Sequence, residues 1–226
     1  IDKFGLSPAL TFQAICLIFG VFAVRQLNPQ PPVVKKLESS FKNVVDGFRA
    51  IQKQPDIMQT LIINFTSSVF NAGAFMTVFP FIVKEIYDGD ALLLSFLMVI
   101  FYAGAAVSNF LMIRLMPLVR PGRIFLLMQL SRMLILGLMW LEPAFWIFAL
   151  ACVGWGLNMG VTMTLARTIV QESANAEFRA RVMSVYSLGL LGSAPIGALI
   201  LGRVIDSFSI LNALIPAIYI CIFLFV

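Results

Sequence analysis

Residues 29–56 read PQPPVVKKLESSFKNVVDGFRAIQKQPD, the one long polar segment in an otherwise apolar chain. Leu37, Phe41, Val44, Phe48 and Ile51 recur at steps of four and three, which puts them in one stripe along a helix. Lys35, Lys36, Lys42, Arg49 and Lys53 fall mostly off that stripe. Two readings follow. The helix lies in a membrane surface, apolar side down and basic side toward anionic headgroups, or it is a linker helix packed on its own protein. Hydrophobic runs on both sides favour the first. From Arg25 to Lys53 the cations outnumber Glu38, Asp46 and Asp56, so this segment is expected on the cytoplasmic side.

Composition points the same way. Hydrophobic residues make up 60% of the 226 and charged residues only 12%, where soluble domains carry about 25% charged. With a mean hydropathy of +0.95, this is the profile of an integral membrane protein. The net charge of +5 does not suggest nucleic acid, because the cations gather in alternate loops between apolar runs. There are no histidines, which removes histidine-based catalysis and histidine-ligated metals. Cys16, Cys152 and Cys221 sit in different apolar runs, at no metal or disulfide spacing. Ile1 is not an initiator methionine and Val226 falls inside an apolar run, so a fragment of a longer polypeptide is expected.

Taken in order, the apolar runs predict seven spans. They cover about 4–24, 57–83, 91–113, 124–141, 144–170 and 182–201, with a last one opening near Phe208. Pro55 suits the first turn of the second span. Gly89 supplies the turn after that span, and Pro117, Pro121 and Gly122 break the chain after the third. The loops after the first, third and fifth spans hold Arg25 to Lys53, then Arg114, Arg120 and Arg123, then Arg179 and Arg181 with Arg167 just before. The other side holds only Lys3, Lys84 and Arg203. The bias keeps its phase through every loop, so residue 1 is expected outside and residue 226 toward the cytoplasm.

Phe178 to Asp206, FRARVMSVYSLGLLGSAPIGALILGRVID, resembles the eleventh span and preceding loop of major facilitator superfamily transporters. The likeness is greatest to the bacterial branch that includes siderophore and macrolide exporters. Asp46-Gly47-Phe48-Arg49 through Gln54-Pro55 is similar to the segment leading into span seven of that branch. Arg120, Gly122 and Arg123 resemble the tail of the superfamily's loop motif, Asp-Arg-x-Gly-Arg-Arg. Val119 stands at the motif's Asp and Ile124 at its last basic residue, so the charge-relay role of that loop does not carry over. The resemblance implies an all-α, polytopic membrane helical bundle: the second half of a major facilitator fold, with seven spans and a cytoplasmic amphipathic helix after the first. Residues 1–28 would then be span six, 29–56 the cytoplasmic linker, and 57–226 the C-terminal six-span half, its last span cut short.

The resemblance also implies that the second and fifth spans here line a central cavity. Those two carry polar stripes. Thr60, Asn64, Ser67, Ser68 and Asn71 share a face of the second, and Asn158 and Thr162 share a face of the fifth. Polar side chains in hydrocarbon need protein or water around them. Asn64, Ser67, Asn71, Asn158 and Thr162 are therefore candidate substrate-cavity residues, the alternative being hydrogen bonds between neighbouring helices. Arg132, one turn from Gln129, sits near the middle of the fourth span, where a charge is costly unless paired or snorkelling. It either touches substrate or a coupling group, or it bonds carbonyls or Asn109 of the third span. The peripheral place that the resemblance gives this span favours the second. Gly156-x-x-x-Gly160, Gly104-x-x-x-Ser108 and Ser193-x-x-x-Gly197 allow helices to approach closely, and Pro195 is expected to kink the sixth span.

The functional expectation is a secondary active transporter of a bacterial inner membrane. It would export amphipathic small molecules by alternating access, with no organic cofactor and no metal. Its partners would be a small-molecule substrate, the lipid bilayer and a first half of the same chain, with no nucleic acid. Lysophospholipid transport is the alternative within that class, and a non-transporting receptor or scaffold lies outside it. An intramembrane enzyme would need a nucleophile–base pair or paired acids, and no carboxylate falls within a span. No phosphate-binding glycine loop suggests direct ATP use. Any proton-coupling carboxylate would have to lie in the other half.

Overall fold

The computed structural model describes residues 7–26 and 40–225. Apolar runs of 19 residues or more give helices, because in hydrocarbon a backbone must satisfy its own hydrogen bonds. Helix α1, Ser7–Arg25, is a single apolar helix in its own structural unit. The second unit holds the remaining helices: α2 (Ser40–Gln52), α3 (Pro55–Ile86), α4 (Ala91–Leu115), α5 (Pro121–Trp140), α6 (Phe145–Ser173), α7 (Arg179–Ser207) and α8 (Leu211–Phe225). Five of these, α3 to α7, are long and apolar enough to cross a membrane, while α1 and α8 are shorter apolar helices. The expectation of seven spans thus stands at five helices of full crossing length among the described residues.

Local chemistry sets the helix boundaries. Pro55 opens α3 after an extended Gln54, and Asp56 adds negative charge to its first turn. The Asp90 carboxylate caps α4 by accepting from the Leu93 amide at 2.8 Å. Pro121 opens α5. Helix α7 runs unbroken through Pro195. In α3 the hydrogen bonding widens to π-type turns at Ala74–Val78 and Ile82–Ile86, a feature that apolar periodicity did not anticipate. Tyr87 closes this end of the bundle, its hydroxyl donating to the Pro143 carbonyl at 2.6 Å. Burial above all, with Cys152 and Glu142 nearby, pushes that hydroxyl up to about 12.

Helix α2 begins at Ser40, so Leu37 of the predicted stripe, and Lys35 and Lys36 off it, lie outside the described residues. Its Gly47 is buried, and a Cβ there would lie 2.7 Å from the Arg181 carbonyl oxygen of α7. Ile51 is wholly buried with Ile57 and Val182. Asp46 pairs with Arg49 at 3.8 Å and with Arg181 at 3.6 Å. This face of α2 is packed on the protein itself, while Phe48, Arg49 and Lys53 remain exposed.

Among α3 to α8 the main helix pairs are α4 with α6, α3 with α7, α5 with α6, α3 with α8, α5 with α8 and α3 with α6, while α2 packs chiefly on α7. Exchanging the triplet α3, α4, α5 for α6, α7, α8 maps this set onto itself. The closest pairs meet at the small residues expected from sequence. A Cβ on Gly156 would collide with the Phe101 carbonyl, and one on Gly104 would lie 2.6 Å from the Val153 carbonyl. Where α3 crosses α7, Gly197 sits against the Val69 carbonyl and Gly73.

Two apolar clusters fill the ends of the bundle. One is aromatic and centres on Phe79, Phe101, Phe148 and Trp155, with Phe75 stacked on Phe101 at 4.3 Å. The other holds Ile57, Phe125, Leu165, Val170 and Val182. Every long helix of the core reaches from one cluster toward the other. Outward, large apolar side chains such as Leu92, Phe96, Trp146, Leu191 and Leu199 are exposed, a surface suited to hydrocarbon and not to water.

Candidate functional site

Between the two apolar clusters lies a buried polar layer. Helical spacing builds it: Ser67 and Asn71 are four apart on α3, Gln129 and Arg132 three apart on α5, Asn158 and Thr162 four apart on α6. Each pair shares a face, and the three faces meet at Arg132. All six residues are buried.

The Arg132 guanidinium holds the layer together. Its Nε donates to Asn158 Oδ1 at 2.8 Å, Nη1 to Ser67 Oγ at 2.7 Å and Nη2 to Thr162 Oγ1 at 2.8 Å. Gln129 Oε1 stands 3.5 Å from Nη1 and accepts from Ser67 Oγ at 3.0 Å. Asn71 Nδ2 donates to the Ser67 carbonyl at 2.8 Å. Asn158 Nδ2 donates to Ser131 Oγ at 2.6 Å and to the Met128 carbonyl at 2.7 Å. One side chain of α5 is thus bonded to α3 and α6 at once.

The acceptors around Arg132 are neutral. The described ion pairs are Asp46 with Arg49 and Arg181, and Lys84 with Glu85 at 3.1 Å; none involves Arg132. A charged residue at the middle of a span costs about 3 kcal/mol or more. Hydrogen bonds to a charged donor return roughly 1.5–3 kcal/mol each, so three short bonds suffice to hold the charge in place. The fixed fork of the guanidinium suits this geometry, since its donors diverge toward separate helices.

The sequence-predicted residues divide into three groups. Ser67, Asn71, Asn158 and Thr162 come together with Arg132 in the buried layer. Asn64, one turn from Ser67, is half-buried and faces a cleft of about 210 Å³ between α2, α3 and α7, lined by Phe48, Met58, Phe65, Tyr186 and Gly189 among others. Arg120, Gly122 and Arg123 are exposed where α4 turns into α5, outside the layer. Asn109, one of the alternative partners considered for Arg132, instead accepts from Thr164 at 2.9 Å. Ser131 and the Met128 carbonyl were not singled out from the sequence. A lone serine on an apolar helix carries no periodic signal, and a backbone carbonyl carries none at all.

Among known proteins, the family model described as Major Facilitator Superfamily matches residues 3–198. No curated protein and no solved structure matches the chain significantly. Members of that superfamily are membrane transporters and not enzymes, which accords with five crossing-length helices around a polar interior. Matched over most of its length, the chain belongs to the Major Facilitator Superfamily.

Proposed function

We propose that this chain is the second half, spans six to twelve, of a secondary active transporter in a bacterial inner membrane. It exports amphipathic small molecules by alternating access. The polar layer at mid-bundle carries the reading. A membrane protein tolerates buried amides, hydroxyls and a cation at that depth where they bind, order or gate something. The exchange relation between the two helix triplets supports a repeat-built half of the kind transporters use. The cation phase of the loops supports an orientation with α2 and the α4–α5 turn in the cytoplasm, residue 1 outside and residue 226 toward the cytoplasm.

In this reading Asn64 faces the substrate path through the cleft beside α2. Ser67, Asn71, Asn158 and Thr162 form the wall behind it, braced by Arg132. All eleven carboxylates lie in loops or at span ends. Proton coupling then depends on an acid from the other half of the transporter.

Everted vesicles containing the transporter test this reading. On energisation they should accumulate at least one member of a panel of neutral, anionic and cationic amphiphilic dyes, and an uncoupler should abolish the uptake. Movement of a labelled lysophospholipid in place of every dye would reassign the protein to lipid transport. Uptake equal to that of vesicles lacking the protein, across dyes and lipid alike, would overturn transport by this reading.

A further inference from the structure

Helices α4 and α5 are joined by the short turn 116–120 yet scarcely touch each other, because each packs on α6 instead. The gap between them is a groove of about 290 Å³. Leu111 and Leu115 of α4 form one wall, Met128 and Ile135 of α5 the other, and Leu157 and Val161 of α6 the floor. It runs about 10 Å along the helices, the rise from Ser108 to Leu115 on α4. Its polar members are already satisfied within the bundle. Asn158 Nδ2 donates to Ser131 Oγ at 2.6 Å and to the Met128 carbonyl at 2.7 Å. Ser131 Oγ donates to that same carbonyl at 3.0 Å, and Ser108 Oγ to the Ala105 carbonyl at 2.9 Å. The lining asks for hydrocarbon and nothing polar. Leu111 and Leu115 are exposed on its rim, so it opens on a face that the bilayer would cover.

At one end the groove meets the α4–α5 turn, and that turn is basic. Arg114 ends α4 beside Leu115, Arg120 stands just before α5, and Arg123 lies in its first turn. Arg120 prolongs the α5 stripe of Ile124, Met128, Ser131 and Ile135 by one turn, in line with the wall of the groove. Arg114, Arg120 and Arg123 are exposed, and none belongs to an ion pair among the described residues. From Ala91 to Leu141 the sequence has no Asp or Glu to neutralise them. The Arg114 guanidinium lies over the exposed Phe110 ring at 5.2 Å, which holds it against the bilayer-facing surface. No side chain caps the first amides of α5, where the helix dipole adds positive charge.

We propose that this groove is a binding site for an anionic phospholipid of the phosphatidylglycerol type. One acyl chain fills the dry groove, and the phosphodiester accepts from the arginines of the turn. The tail seats in hydrocarbon while the head stays where arginine side chains reach water. A zwitterionic lipid fits the same groove but brings an ammonium toward the guanidiniums, which offsets the attraction to its phosphate. The inference requires that α4 and α5 cross the membrane. It is independent of which side the turn faces, of export and of coupling.

The test is fluorescence quenching by phospholipids brominated on one acyl chain, in vesicles that vary the ratio of phosphatidylglycerol to phosphatidylcholine. The protein carries Trp140→Phe, Trp146→Phe and Trp155→Phe, with one reporter introduced at a time. Leu111→Trp sits on the rim of the groove, and Phe223→Trp on the exposed face of α8. At Leu111→Trp, brominated phosphatidylglycerol should displace phosphatidylcholine with about tenfold preference. At Phe223→Trp the two lipids should compete equally. Arg120→Gln combined with Arg123→Gln should bring the preference at Leu111→Trp to within about twofold of equality. Gly154→Leu keeps every arginine and fills the groove toward Ile135, where the first added carbon meets only ordinary contacts at 3.6 Å. It should have the same effect. Should the arginine variant fail to fold, Gly154→Leu and the two reporters still decide. No preference at Leu111→Trp, or an equal preference at Phe223→Trp, would overturn the proposal. So would a preference that survives Gly154→Leu, since the arginines would then attract anionic lipid without the groove.

Discussion

Arg132 joins three helices because a guanidinium has diverging donors and the spacing of its partners matches them. Removing an acceptor leaves a buried N–H without a partner, at a cost of about 1–3 kcal/mol. Ser67→Ala and Thr162→Val should each lower thermal stability in detergent by that order. Arg132→Lys should do no better than either, because one ammonium cannot reach α3 and α6 together as the fork does. Combined with Arg132→Gln, neither change should add its full single-site cost, since the bond is then already gone. Strict additivity, read from unfolding midpoints, would show that the bonds are not shared. Arg132 was legible in the sequence as an intramembrane charge, and so were the stripes of α3 and α6. Their meeting was not. Periodicity orders a helix face but does not say which neighbour it turns toward, and Asn109 of the preceding span was as open a choice as Asn158 of the following one. Only the packing of α5 between α6 and α8 points Arg132 inward.

At the scale of the elements, the helix pairs depend on missing side chains. Gly197 lies against the Val69 carbonyl, so a methyl group there meets backbone, which cannot swing aside. Gly192, on the same helix, has nothing within 4 Å of a built Cβ. Gly197→Ala should destabilise by about 1–3 kcal/mol through overpacking. Gly192→Ala should be neutral or stabilising by up to about 1 kcal/mol, because alanine is the better helix former. The pair is compared by thermal unfolding of the purified protein. Equal behaviour would mean that the α3–α7 crossing is looser than described. The small-residue spacings announced these crossings because close approach leaves no other residue type. The π-type turns of α3 left no such trace. The apolar side chains that line them serve equally well in an α-helix, and the change lies in backbone bonding alone. The basic helix was half legible: its stripe located Ile51 at an interface, but the flanking hydrophobic runs favoured lipid as its cover. Gly47, pressed on the Arg181 carbonyl, identifies protein on that side.

The whole molecule hangs on orientation. Five crossing-length helices, two apolar clusters and one polar layer make a bundle, but transport requires that its ends face different compartments. The span boundaries could be read from the sequence because each polar break coincides with a cap, a proline or a charge. The proposed sidedness rests on the cation phase, a property of the loops and not of the packing. The most direct test is therefore sided labelling across α3. Cys16, Cys152 and Cys221 are replaced, and single cysteines are introduced as Lys53→Cys, just before α3, and Asp88→Cys, just after it, both at exposed positions. With a membrane-impermeant thiol reagent, Asp88→Cys should label in intact cells and Lys53→Cys only in inverted vesicles. Labelling of both from one side would contradict the account, because α3 would then not cross the membrane and the polar layer would not lie at its middle.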